Sequence, residues 1–204
     1  MRLRIPEVVV LFTLGGIAAL IGDHSHVATG TTAYDTDAVP FIWSSPIWFP
    51  VLVGGATVIL AELRLHFPAL RDGVSARQAV AGVAAVVGLY VTTALVHDGP
   101  VVPVTALIAA GAVIVWCVLG DGPAAVCGAV IAVIGPAVEI ALVHLDVFAY
   151  HPDADQLFGV GPFLVPLYFA FGVVAALLGE LTVARRPVDA RPVCDTVSRG
   201  SGAD

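Results

Sequence analysis

Six apolar runs separated by polar connections limit what this chain can fold into more than any other feature. They cover residues 8–21, 41–63, 79–96, 101–119, 124–145 and 162–183. A bilayer core is about 30 Å thick and a spanning helix needs roughly 20 apolar residues. Six spans therefore use most of the 204 residues, and little remains for a water-soluble domain. With 58% hydrophobic residues, 12% charged residues and a mean hydropathy of +0.95, a soluble protein of this size has too little interior to hide its apolar surface. The expected fold is all-α: a polytopic membrane protein of six transmembrane helices, one unit over residues 1–183, followed by a disordered cytosolic tail over 184–204.

The first run follows Arg2 and Arg4, the layout of a signal peptide, but no clear A-x-A cleavage site comes after it. It reads as a retained first span. Pro46 and Pro50 each remove a backbone donor near the start of the second span and make its entry irregular. His97-Asp98-Gly99-Pro100 and Gly120-Asp121-Gly122-Pro123 are tight turns, the second with proline where a helix can begin.

The basic residues give the orientation. There are nine arginines and no lysine. Arg2 and Arg4 precede span one; Arg64, Arg71 and Arg77 follow span two; Arg185, Arg186, Arg191 and Arg199 follow span six. With an even number of spans, all nine fall on one side. The positive-inside rule then places both termini in the cytosol and the connections after spans one, three and five outside. The net charge of −7 says little by comparison. The few scattered arginines lack interleaved aromatics and give no support to nucleic-acid binding. A composition rich in Ala, Val, Gly and Arg without Lys favours a bacterial cell membrane, or the endoplasmic reticulum if the source is eukaryotic.

A charged residue at membrane depth is a functional hypothesis by default, and Glu139 is the one the spans place deep. It follows Pro136 by three residues, so Pro136, Glu139, Val143 and Asp146 share a helix face. Two roles stay open for it: a polar anchor for a ligand hydroxyl or a proton site, or a carboxyl bonded to the backbone of a neighbouring helix. Glu62 and Glu180, near Arg64 and Arg185, read as ordinary interfacial pairs. His24-x-His26 and His144-x-Asp146 come nearest to metal-ligand spacing, but there is no HExxH or paired CxxC motif, so no metal is expected. No nucleophile motif or phosphate loop appears, and no catalysis or cofactor is expected. Cys117, Cys127 and Cys194 read as isolated reduced thiols. Small residues in the Gly82–Gly88 and Gly128–Gly135 stretches suit close helix packing.

Ser44, Ser45, Trp48, Pro50 and Gly54 match, residue for residue, a Ser-Ser-x-x-Trp-x-Pro-x-x-x-Gly pattern. This resembles the signature of the Insig (insulin-induced gene) family. Val147-Phe148-Ala149-Tyr150 followed by Pro152-Asp153 is similar to the family's Val-Tyr-x-Tyr segment before a Pro-Asp turn. Pro166 and Phe169 match its Pro-x-x-Phe opening of the last span. The resemblance implies a six-span, non-enzymatic regulator that binds a lipid within the membrane, as Insig proteins bind oxysterols while retaining sterol-sensing partners in the endoplasmic reticulum. In a bacterial membrane without sterols it implies a diacylglycerol-like glycerolipid instead. Phe41, Trp43, Trp48 and Phe49 are then expected to line the cavity. Glu139, Ser44 or Ser45 would take up a lipid hydroxyl, and Pro136 would help to hold the helices apart. The family's partner-binding Asp corresponds to Asp121, although Gly120 and Gly122 replace its Asp-Arg-x-Arg setting and the register is slightly shifted. The implied partners are a membrane lipid, another polytopic membrane protein and further copies of the chain. A small proton-coupled transporter using Glu139 and the outer histidines is the rival reading. A structural subunit of a larger complex is the third.

Overall fold

A computed structural model describes residues 2–34, 39–68, 70–71 and 73–186. Six helices are long and apolar enough to cross a membrane: α1 (Ile5–Thr29), α2 (Trp48–His66), α3 (Ala76–Leu95), α4 (Val101–Leu119), α5 (Gly122–His144) and α6 (Leu164–Ala184). Their ends carry the expected chemistry. Ser75 and Gln78 form a capping box at α3. Asp121 caps α5 by accepting from the Ala124 N–H at 2.8 Å. Gly30 ends α1 in the left-handed conformation at φ 76°. The expected tail beyond residue 186, with Cys194, lies outside the described residues; Cys117 and Cys127 are free thiols.

Two boundaries differ from the sequence reading. Helix α1 continues past the apolar run to Thr29 and carries Asp23, His24 and His26 on a regular helix. The second span begins at Trp48, because residues 41–46 form a small antiparallel hairpin of β2 (Phe41–Ile42) and β3 (Ser45–Pro46). Pro50 falls in the first turn of α2, where its missing N–H costs no helical hydrogen bond. Trp43 turns the hairpin at φ 63°, a left-handed conformation that is costly for a bulky side chain. Its ring stacks on His24, with centroids 4.2 Å apart and planes 9° from parallel. A second ribbon joins two distant connections: β1 (Thr32–Tyr34) pairs antiparallel with β4 (Phe148–Tyr150), Tyr34 opposite Phe148 and Thr32 opposite Tyr150.

Helix α6 is the centre of the bundle. Its most apolar stretch is 67% buried, against α5, α2, α4 and α3, while α1 packs on α2 and α3. Hydrocarbon solvent gives apolar side chains no reason to associate, so close approach at small residues does the work. Gly172 and Gly128 face each other where α6 crosses α5, and Gly179 lies on the backbone of Ala61 in α2.

The described arginines gather at the end of the bundle where α1 begins and α6 ends. Arg186 donates to Glu7 at 2.6 and 3.0 Å and to the Arg2 carbonyl at 2.6 Å. The Glu7 carboxylate beside it holds the Arg186 guanidinium above its ordinary range. Glu180 corrects the expectation of an interfacial pair with Arg185. It is buried, and it accepts from Arg64 and from Arg71, the latter at 2.6 Å. Arg71, from the α2–α3 connection, reaches it with its backbone N–H and its guanidinium, whereas Arg185 is exposed at the end of α6. Glu62 accepts from the Leu3 N–H at 2.8 Å.

Candidate functional site

Helices α2 and α5 touch only sparsely, and a cavity of about 530 Å³ lies between them. Its outer rim is apolar and faces the surroundings of the bundle: Ile59 is 68% exposed and Ile134 51%. Its inner wall is a polar pole. The chain has four tyrosines, and all four, Tyr34, Tyr90, Tyr150 and Tyr168, line this one space. Asp23, His26 and Glu139 join them.

Each carboxyl of the pole is held by two hydroxyls. Glu139 accepts from Tyr150 Oη and Tyr168 Oη, both at 2.5 Å, not from a neighbouring backbone. Asp23 accepts from Tyr34 Oη at 2.9 Å and from Ser45 Oγ. The β1–β4 ribbon sets this arrangement, since its pairing brings Tyr34 and Tyr150 to the same cavity from opposite halves of the chain. Burial, followed by the Asp23 carboxylate, pushes the Tyr34 phenol far above its ordinary pKa. Burial and Glu139 do the same to Tyr150. Both are therefore protonated donors throughout the physiological range. His26 is fixed by Thr93: the Thr93 hydroxyl donates to the Tyr90 carbonyl at 2.6 Å, so its oxygen accepts from His26 Nε2 at 2.8 Å.

Of the residues singled out from the sequence, Trp48, Phe49 and Glu139 line the cavity. Ser45 is one contact removed, buried with its hydroxyl on Asp23. Ser44 bonds His24 Nδ1 at 2.7 Å, Phe41 packs edge-on against Tyr34 at 5.6 Å, and Trp43 is 65% exposed on the outer side of the hairpin. These three lie off the lining, as does the buried Pro136. Asp121 is at the opposite end, in the cluster with Arg64 at 2.9 Å. Asp23, His26 and the tyrosines were missed. Four tyrosines in so apolar a chain, two of them in connections, are the available signal. Asp23 lies just past the first apolar run, where the hydropathy falls, so the sequence reads it as connection rather than helix.

Asp23 also latches the β2–β3 hairpin to α1. Asp23→Ala strands the Tyr34 and Ser45 hydroxyls and is expected to cost about 1–3 kcal/mol, the penalty for a buried donor left unpaired. Thermal unfolding in detergent checks this, and an unchanged midpoint would refute the latch.

No protein-family profile matches the chain. A protein of Mycolicibacterium vanbaalenii described as an INSIG protein homolog is 79% identical over 203 residues, a match spanning the full length of both chains. The chain belongs to the Insig family. The crystal structure of the mycobacterial Insig homolog MvINS superposes with a TM-score of 0.91 at 80% identity, covering 92% of this chain and 99% of that one. A cross-linked R77C trimer of MvINS matches equally well. The Insig resemblance and the six-helix fold expected from the sequence are thus both correct, and the protein is integral to a bacterial cell membrane.

Proposed function

We propose that this protein is a non-enzymatic lipid-binding regulator that holds a diacylglycerol-like glycerolipid or a sterol between α2 and α5. The observation that carries this reading is the cavity: apolar where it meets the bilayer, with one polar pole built from four tyrosines and two carboxyls. That division matches a lipid with hydrocarbon tails and a small uncharged head, since ligand sites pair an apolar wall with a few placed polar groups. The arginine-bearing end faces the cytosol by the positive-inside rule, so the polar pole lies in the outer half of the membrane. The transporter reading draws less support. Glu139 is capped by two hydroxyls; of the outer histidines, His26 shares the cavity but is tied to Thr93, while His144 turns to the Ile140 carbonyl and His151 to His97. Membership of the Insig family and the cross-linked MvINS trimer favour assembly of several copies.

Native mass spectrometry of protein extracted from bacterial membranes tests both points in one spectrum. The expected species is a homo-oligomer, trimeric as in the MvINS structure, with about one neutral lipid retained per chain. A lipid-free protein that also fails to take up added dioctanoylglycerol or sterol saturably would refute the function proposed.

A further inference from the structure

The short segment that leads into α1 is pinned at three points. The Arg2 carbonyl accepts from Arg186 Nη2 at 2.6 Å, the Leu3 N–H donates to Glu62 of α2 at 2.8 Å, and the Arg4 N–H donates to Glu7 of α1 at 2.7 Å. Alternate residues of an extended stretch point to opposite sides. Leu3 packs against the main core of the bundle, while Arg2 and Arg4 are exposed. Arg185, next to Arg186, is exposed as well.

Four guanidinium groups therefore gather at this corner with two carboxyls, Glu7 and Glu62, whose charges both act on Arg186. Both carboxyls are already engaged. Glu7 accepts from Arg186 and from the Arg4 N–H, and Glu62 from the Leu3 N–H. Four positive charges against two negative leave an excess of two. Neither the Arg2 nor the Arg185 guanidinium has a hydrogen bond or ion pair among the described residues.

The corner also sits at headgroup depth, because the apolar helices begin at Ile5 and end at Ala184. Immediately inside it on α1, Ile5 is 81% and Val9 57% exposed, one turn apart. A soluble anion would answer the charge and leave this apolar stripe uncovered. An acyl chain covers it.

We propose that Arg2, Arg4 and Arg185 hold the phosphate of an anionic phospholipid whose chains run along Ile5 and Val9. Guanidinium forks take two phosphate oxygens at once, and basic residues at the membrane surface attract anionic lipid. A zwitterionic phospholipid gains less, since its own cation already offsets the phosphate. The site is separate from the cavity: Glu7 and Asp23 are about 24 Å apart along α1 at 1.5 Å per residue. It does not rest on the lipid-binding reading above.

The test titrates purified full-length protein with dioleoyl phosphatidylglycerol and with dioleoyl phosphatidylcholine, which has the same chains, and reads occupancy by native mass spectrometry. The anionic lipid is expected to bind about 5- to 30-fold more tightly, roughly fivefold for each excess charge. The double variant Arg2→Gln, Arg4→Gln keeps every backbone bond of the segment and is expected to lose most of that preference. Arg77→Gln, which removes an exposed arginine that makes none of these contacts, is expected to keep it. Equal binding of the two lipids by the parent protein would overturn the proposal. So would an undiminished preference in the double variant, or an equal loss in Arg77→Gln, which would mean diffuse surface charge. Displacement of phosphatidylglycerol by millimolar inorganic phosphate would mark a site for the free anion and overturn the assignment to a lipid.

Discussion

Glu180→Ala is expected to destabilise the protein by about 3–5 kcal/mol, the cost of removing one partner from a buried ion pair. The reason lies in what the truncation leaves behind. The Arg64 side chain is fully buried and the Glu180 side chain 1% exposed. Arg71, 26% exposed, reaches the same carboxylate through both Nε (2.9 Å) and Nη2 (2.6 Å) and spends its remaining nitrogen on the Leu119 carbonyl at 2.7 Å. Without Glu180, two guanidinium groups share the weaker, more exposed Asp121. Arg71→Ala is expected to cost less, since its solvent-facing part is already screened. Thermal unfolding in detergent reads the difference. A Glu180→Ala midpoint within a degree or two of the parent would show that the cluster does not hold the helix ends together. The same contacts place Asp121 as a cap and ion-pair partner inside the fold.

Gly172→Val is expected to reach or exceed the upper end of the roughly 1–3 kcal/mol that overpacking usually costs. A Cβ there would lie 2.7 Å from the Gly128 Cα and 2.8 Å from the Cys127 carbonyl. These are backbone atoms of α5 that cannot turn aside as a flexible side chain would. Relief requires α5 and α6 to separate, which also shifts Glu139 and Tyr168 on facing helices of the cavity. Gly88→Ala is the control. Nothing lies within 4 Å of its new Cβ, and alanine gains up to about 1 kcal/mol of helix propensity over glycine. Unfolding in detergent should therefore lower the midpoint for Gly172→Val and leave it unchanged or raised for Gly88→Ala. A Gly172→Val protein as stable as the parent would show that the α5–α6 crossing is not close-packed.

The glycines show how far a linear reading reaches. Gly82–Gly88 and Gly128–Gly135 were marked alike as small-residue stretches. Gly128 meets the Phe169 backbone and Gly82 meets Leu119 and Val174, yet Gly88 meets nothing. The difference is the rotation of each helix about its axis, which neighbours set. Glu139 was legible because a lone carboxyl in an apolar run stands out. Its partners were not, since Tyr150 and Tyr168 follow it by 11 and 29 residues and arrive through a ribbon and a separate helix.

Hydrophobic patterning alone was enough for the six spans, and the glycine, proline and capping residues for most of their ends. These are local matters: a bilayer demands internally satisfied backbone over a set length, and a short run of residues either meets that demand or does not. The motif around Ser44 to Gly54 was likewise legible as family membership. Where α1 ends was decided by tertiary structure, because Asp23 and His26 stay in the helix only when Tyr34, Ser45 and Thr93 satisfy them. The cavity was decided there too. Its donors and acceptors come from α1, α3, α5, α6 and the two connections between, and only packing sets the distances at which hydrogen bonds form between residues so far apart in the chain.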